Sequence, residues 1–427
     1  MASRSSSIQA LFIGMSGTIL QWYDFALLGY FMPIIAKTYF PSGDHFASLL
    51  SAFGIFAAGS FLQPLGAIYF GYIGDRYGRK RALSLSILIM AIPTALISLV
   101  PSYQMIGIAA PILITLLRMI QGSVAGSEFT GSAVFLVEHA KPNKKAFYGS
   151  LTSIAYSLGY IAAGFTSSLL TASFMPSWGW RLGFALSLLA GILIFYLRRH
   201  VVETPDYHQI TAEQKPQKPF FTAVKEAPYA VFGVMGIASF VGLISVGLYV
   251  FMATFLNQYV HVPLSTATLI VTIALIVDVT LEPFIALWAD KIGCLRVTRL
   301  GMIAILLFSV PIFYLFTTGN IMLVTLGVIM LSMLLALTYA PLNAYMVELF
   351  PPAYRYSGFG VSFHIGNALF SGTTPLVMIM FIHYTDSLVG PAFYYMIGAM
   401  IGLTSLFVCE CGRRKSQRTS DFIGNLT

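Results

Sequence analysis

The stretch Gly71-Tyr-Ile-Gly-Asp75-Arg-Tyr-Gly78-Arg-Lys-Arg-Ala-Leu83 lies between two long apolar runs, 46–70 and 83–100. A junction of that kind must reverse the backbone just outside a bilayer, and its glycines permit a tight turn. Arg76, Arg79, Lys80 and Arg81 form a cationic cluster of the sort that marks the cytoplasmic face of a membrane protein. Asp75 is an acid at the end of an apolar helix, with an arginine four residues later. A solvated basic loop needs no such acid.

Working outward, composition fixes the solvent. Only 9% of the 427 residues are charged and 57% are hydrophobic, against about 25% charged in soluble domains. Mean hydropathy is +0.80, which belongs to a membrane protein. Twelve apolar spans are expected, near 8–36, 46–71, 81–100, 105–138, 147–171, 179–197, 229–256, 264–289, 298–317, 321–346, 358–382 and 390–409. Each can cross about 30 Å of hydrocarbon. All but three of the 24 Lys and Arg fall on one side of this arrangement, the exceptions being Lys37, Arg118 and Arg181. That bias predicts cytoplasmic termini, and it explains the net charge of +8 without nucleic acid. The first residues do not read as a cleavable signal peptide. Cys294, Cys409 and Cys411 lack the clustering a metal or redox site needs. With cytoplasmic termini, the triplet Asn425-Leu-Thr427 has no meaning for glycosylation.

The longest polar stretch divides six spans from six. The expected organisation is a bundle over 1–197, a linker over 198–228, a second bundle over 229–412 and a tail over 413–427. A repeat supports the division: Gly71-Tyr-Ile-Gly-Asp75-Arg-Tyr-Gly78 returns as Ala286-Leu-Trp-Ala-Asp290-Lys-Ile-Gly293.

Several polar groups lie inside the apolar spans. Asp24, within Gln21-Trp-Tyr23-Asp-Phe, is costly in lipid unless paired, hydrated or protonated, so it is a candidate proton site. Arg118 needs an acid, carbonyl dipoles or an anionic ligand. Glu128 lies ten residues on, about 15 Å along a helix, so the two do not simply pair. Asp278 and Glu282 stand one turn apart on one face and should not both ionise easily. His364 and Asn367 share a face of the eleventh span. The plain alternatives are structural hydrogen bonding for Asp24, His364 and Asn367, a structural clamp for Arg118, and a hydrated Glu282 near the inner interface for the acid pair.

The pattern Gly-x-x-x-Asp-x-x-Gly-Arg-Lys resembles the signature between the second and third helices of the major facilitator superfamily. Gln21-Trp-Tyr-Asp-Phe25, Gln63-Pro-Leu-Gly66, Arg118-x-x-Gln-Gly122 with Gly126-x-Glu128-x-x-Gly131, and Glu203-Thr-Pro205 narrow the resemblance. With Glu348-Leu-Phe-Pro351 and Arg355-Tyr-Ser-Gly358, they look like the metabolite:proton symporters, the branch that includes proline/betaine transporters. That family usually has Glu at the position of Gln21, Arg at Gln63 and Gly at Ser127.

The resemblance implies an all-α fold of twelve transmembrane helices in two pseudo-symmetric six-helix bundles, with a site between them. It implies proton-coupled uptake of a small polar organic metabolite, no cofactor, and action as a monomer in the bilayer of the cell inner membrane. Asp24, Arg118 and Glu128 would face or border the central cavity, with Gln21, Tyr23, Asp278, Glu282, His364 and Asn367 as further substrate or proton candidates. Gly71, Asp75, Arg76, Gly78, Arg79, Glu138, Asp290, Glu348 and Arg355 would latch the halves together. A proton-driven exporter and a non-transporting sensor are the alternatives. No nucleotide motif or nucleophile–base cluster suggests an enzyme.

Overall fold

A computed structural model describes residues 4–41, 58–172, 174–199, 202–211 and 215–424. The first part of the second expected span and the triplet Asn425-Leu-Thr427 lie outside them. The described chain is built from α1 (Arg4–Tyr30), α2 (Met32–Tyr39), α3 (Gln63–Tyr77), α4 (Arg79–Leu99), α5 (Ala109–Glu138), α6 (Lys145–Leu170) and α7 (Trp180–Arg198) in the first half. A short helix, α8 (Pro219–Glu226), lies in the connection. The second half holds α9 (Pro228–Ser245), α10 (Met252–Gln258), α11 (Leu264–Ile292), α12 (Cys294–Phe316), α13 (Ile321–Val347), α14 (Arg355–Ser371), α15 (Thr374–Thr385) and α16 (Gly390–Gly424).

Among the described residues, nine helical stretches are long and apolar enough to cross a membrane. The remaining three of the twelve spans are α1, the span that ends in α3, and α6. Phe165 is 75% exposed and Leu307 62%, as expected of side chains whose solvent is lipid.

Three expected spans are interrupted. The first breaks at Phe31, where Pro33 opens α2. The seventh runs from α9 to α10 through a π-helical segment, Val246–Phe251. The eleventh breaks between α14 and α15 at Gly372 and Thr373. The tail expected after 412 continues the last helix as far as Gly424.

Within the first half α1 packs on α6, and α4 on α5 and α7; within the second, α9 packs on α14 and α16, and α12 on α13. The halves meet where α3 crosses α14 and where α6 crosses α11 and α13. Gly78 and Gly293 have φ of +108° and +106°, a conformation open mainly to glycine, and each turns the chain into the next helix. These two positions are the repeat seen in sequence.

The α3–α5 crossing depends on small residues. A Cβ on Gly126 would fall onto the Gln63 carbonyl, and one on Gly66 onto the Ser123 carbonyl. Backbone cannot yield as a side-chain tip can. Gly126→Val is therefore expected to lose about 1–3 kcal/mol by overpacking. A lowered unfolding temperature of the purified variant in detergent checks it, and an unchanged one would show that the crossing can spread.

Candidate functional site

At the end of the bundle that carries Gly78 and Gly293, the halves are bonded to each other. Asp75 accepts from the backbone N–H of Tyr356 at 3.0 Å and of Ser357 at 2.9 Å, at the N-terminus of α14. A helix N-terminus favours a negative charge there. Asp290 does the same in the opposite sense, accepting from Ala146 N at 2.8 Å and Phe147 N at 3.1 Å at the start of α6.

Arg79, fully buried, ties the first of these links to others. Its Nε and Nη2 fork onto the two oxygens of Glu138, both at 3.1 Å, the geometry a planar guanidinium suits. It also donates to Asp75, to the Gly74 carbonyl and, across the halves, to the Pro352 carbonyl at 2.7 Å. Arg355 donates to the same Glu138 at 3.0 Å and to Asp206 at 2.6 Å. Where Arg79 and Lys80 stand in the first half, the second has Cys294 and Leu295. Its side of the junction is completed by a partly exposed Lys145–Glu348 ion pair.

Gly71 admits Ser357 closely, since a Cβ there would meet the Ser357 backbone at 2.8 Å. The Arg76 side chain takes no part in these links: it is exposed and lies over the Tyr72 ring. Of the nine residues expected at this junction, eight take part by contact, close approach or the turn at Gly78, and the Arg76 side chain is the exception.

The expected cavity-facing trio is instead packed inside the first half. Asp24 accepts from Ser187 Oγ and from Thr94 Oγ1, the latter at 3.1 Å. Arg118 donates to Gln121 Oε1, and its guanidinium carbon lies 4.0 Å from the centre of the Phe25 ring. Gln121 in turn donates to Thr94 at 2.7 Å, joining the two groups into one network. Glu128 pairs with Arg198 and accepts from Ser86 Oγ at 2.6 Å. Arg198, counted in sequence among the loop cations, is the last residue of α7 and is buried. Tyr23 donates to the Gly183 carbonyl at 3.3 Å, also within the first half. None of Tyr23, Asp24, Arg118 and Glu128 lines the central cavity.

That cavity, with a volume of about 40 Å³, lies between the halves. It brings together Gln21, Asp278, Glu282, His364 and Asn367 from the expected set. His364 Nδ1 lies 3.0 Å from Gln63 Oε1 across the α3–α14 contact. Asn343 donates to Ser153 Oγ at 3.0 Å and to the Gly149 carbonyl, joining α13 to α6. Aromatic rings form one wall, with Trp22 and Tyr156 centred 4.3 Å apart and Tyr156 and Tyr249 6.2 Å apart. Tyr249 projects from the π-helical segment, a distortion often found at functional sites.

Trp22, Tyr156, Ser157, Tyr249 and Tyr339 also line the cavity and are not among the candidates named from sequence. A signal was available in Ser153, Tyr156, Ser157 and Tyr160, polar-tipped residues at three- and four-residue spacing on α6.

The chain matches the Major Facilitator Superfamily sequence model over residues 14–375. It is 31% identical to the glycine betaine/proline/ectoine/pipecolic acid transporter OusA of Dickeya dadantii, over 93% of this chain and 82% of that protein. It is also 31% identical to a citrate-proton symporter of Klebsiella pneumoniae, over 94% of this chain and 91% of that one. Among solved structures, the proton:xylose symporter XylE superposes with a TM-score of 0.77 at 17% identity, covering 94% of this chain and 95% of that one.

Proposed function

The chain belongs to the major facilitator superfamily, and from that premise we propose that it imports a small polar organic solute together with protons. The observation that carries this reading is the cavity between the halves, lined by polar groups and closed off at one end by links running in both directions. A carrier needs such a cavity and a reversible closure on each side of it. Among the relatives, the name of OusA fits movement of small organic solutes, and that of the citrate-proton symporter adds a proton.

On this reading the bonded, arginine-rich end faces the cytoplasm, both termini lie on that side, and the protein works as a monomer in the cell inner membrane. Residues 1–197 and 229–412 move as two bodies joined by 198–228. Purified protein in lipid vesicles provides the test. An inside-alkaline pH gradient should drive accumulation of at least one solute from a panel of amino acids, betaines and carboxylates. Solute exit that draws protons in would mark an exporter, and binding without flux would mark a sensor.

Asp24 is the proposed site of the coupled proton. It is fully buried, and the hydroxyls of Ser187 and Thr94 can serve its carboxyl group in either protonation state. Asp24→Asn imitates the protonated form. The variant should still exchange solute across the membrane, because exchange moves no net proton, and it should fail to concentrate solute under the pH gradient. Normal accumulation by Asp24→Asn, with Glu128→Gln or Glu282→Gln losing accumulation alone, would move the proton site to that residue.

A further inference from the structure

Buried polar atoms in proteins nearly always have hydrogen-bond partners, so a cluster without them points to a ligand. Asp278 and Glu282 make such a cluster. They lie one turn apart on α11, both 1% exposed, and both line the central cavity. None of their four carboxylate oxygens has a formed hydrogen bond among the described residues. The Tyr249 and Ser157 hydroxyls stand close enough to Asp278 to interact with it, at separations longer than a fully formed hydrogen bond, and no hydroxyl does the same for Glu282.

The rest of the lining has the same bias. Gln21 spends its Nε2 on the Ala125 carbonyl, leaving Oε1 unpartnered. His364 presents Nδ1 to Gln63 and leaves Nε2 unpartnered. Six acceptor atoms thus face the cavity unpaired, while the unpaired donors there are the Trp22 indole N–H and the Tyr249 hydroxyl. Among the described residues the lining contains no Lys or Arg, and Arg118 is packed against Phe25 away from it. The Asn343 amide, which could have met a carboxylate, is bonded to Gly149 and Ser153.

A negatively charged solute would therefore meet two acids and no cation. A positively charged group meets two carboxylates and the aromatic faces of Trp22 and Tyr156, which attract cations. Such a group is of most use here if it carries N–H bonds, because a quaternary nitrogen leaves the carboxylate oxygens unpaired.

We propose that Asp278 and Glu282 form the subsite for a protonated primary or secondary amine, so that the solute carried is an amine-bearing cation or zwitterion. This deepens the transport reading and rests on it. The amine docks between the two acids, its N–H groups taking up carboxyl oxygens and its single positive charge offsetting one ionised carboxylate. Gln21 and His364 offer acceptors to further donors on the same solute.

The test uses the full-length protein in vesicles and two methylation series. One is glycine, sarcosine, dimethylglycine and glycine betaine; the other is ethanolamine and choline. Citrate is the anionic control. Affinity should fall as N–H bonds are replaced by methyl groups, with glycine betaine weaker than sarcosine and choline weaker than ethanolamine. Asp278→Asn and Glu282→Gln should each weaken sarcosine and ethanolamine binding about tenfold to hundredfold, the loss expected of a buried charge-assisted hydrogen bond. If those variants fail to fold, the methylation series on the unaltered protein still decides.

Affinity that ignores methylation, preferential binding of citrate, or no binding by any amine overturns the proposal. So do variants that keep affinity and lose only accumulation, since the pair would then carry the proton. Proton-driven uptake of citrate or glycine betaine with no response to the acid-pair variants would sink this subsite and leave the transport reading standing. Absence of gradient-driven uptake of every solute would sink the transport reading itself.

Discussion

Arg198→Ala is expected to destabilise the first half by about 3–5 kcal/mol, the usual consequence of stripping one partner from a buried ion pair. Arg198 donates to both oxygens of Glu128, which has no exposed surface. Ser86 would remain as the principal hydrogen-bond partner of a full negative charge. Water has no easy way in, because α1 seals the pair from above: a Cβ on Gly17 would collide with both Glu128 and Arg198. The measurement is unfolding temperature and yield of folded protein in detergent. Adding Glu128→Gln to Arg198→Ala should recover most of the loss, since no charge is then left unpaired. Equal stability of the single variant and the parent would mean that the pair is dispensable, and failure of the double variant to recover would assign the loss to packing of the arginine stem.

Arg79→Ala is expected to act on the balance between conformations more than on folding. Its five hydrogen bonds connect Asp75, Glu138, the turn at Gly74 and the opposite half at Pro352. Removing it leaves Glu138 with Arg355 and leaves Asp75 without its nearest cation. About 3–5 kcal/mol would be lost from the closed form of this end, which exceeds the roughly 1.4 kcal/mol per tenfold change that governs a two-state population. Asp75→Asn should shift the balance in the same direction and by less, because one amide oxygen replaces a carboxylate at the α14 N-terminus. Spin labels placed on either side of the junction should report a wider separation in both variants, largest for Arg79→Ala, together with slowed transport. Parental distances and rates in correctly inserted Arg79→Ala would remove the latch role.

The spans and the division into two halves were legible because they are written in strong local signals. Charge punctuates the apolar runs, and the Asp-x-x-Gly pattern repeats where the fold repeats, at Asp75 and Asp290. What failed was the direction in which intramembrane groups point. In a soluble helix the polar side announces itself, but here lipid-facing and core-facing sides are both apolar, so α1 carries no phase by which to orient Asp24. Trp22 and Asp24 are two residues apart, about 200° around the axis. Trp22 lines the cavity, and Asp24 turns to Thr94 and Ser187. The Glu128–Arg198 pair was hidden for another reason: Arg198 sits at the end of an apolar run, where a snorkelling loop cation and a buried partner read alike. Asp278 and Glu282 could be picked out because spacing alone puts both on one face, although spacing does not reveal that their oxygens go unpartnered.

The two acid-to-helix links at the junction match in position and differ in what stands behind them. Asp75 is backed by a buried guanidinium shared with Glu138, whereas Asp290 has beside it an ion pair open to solvent. A rotation that broke both links at once would climb their combined height. A motion that peels from the Asp290 side meets them one after the other, the softer first. The end would then part like a seam opened from one edge, and Arg79, as the last stitch, would set the pace.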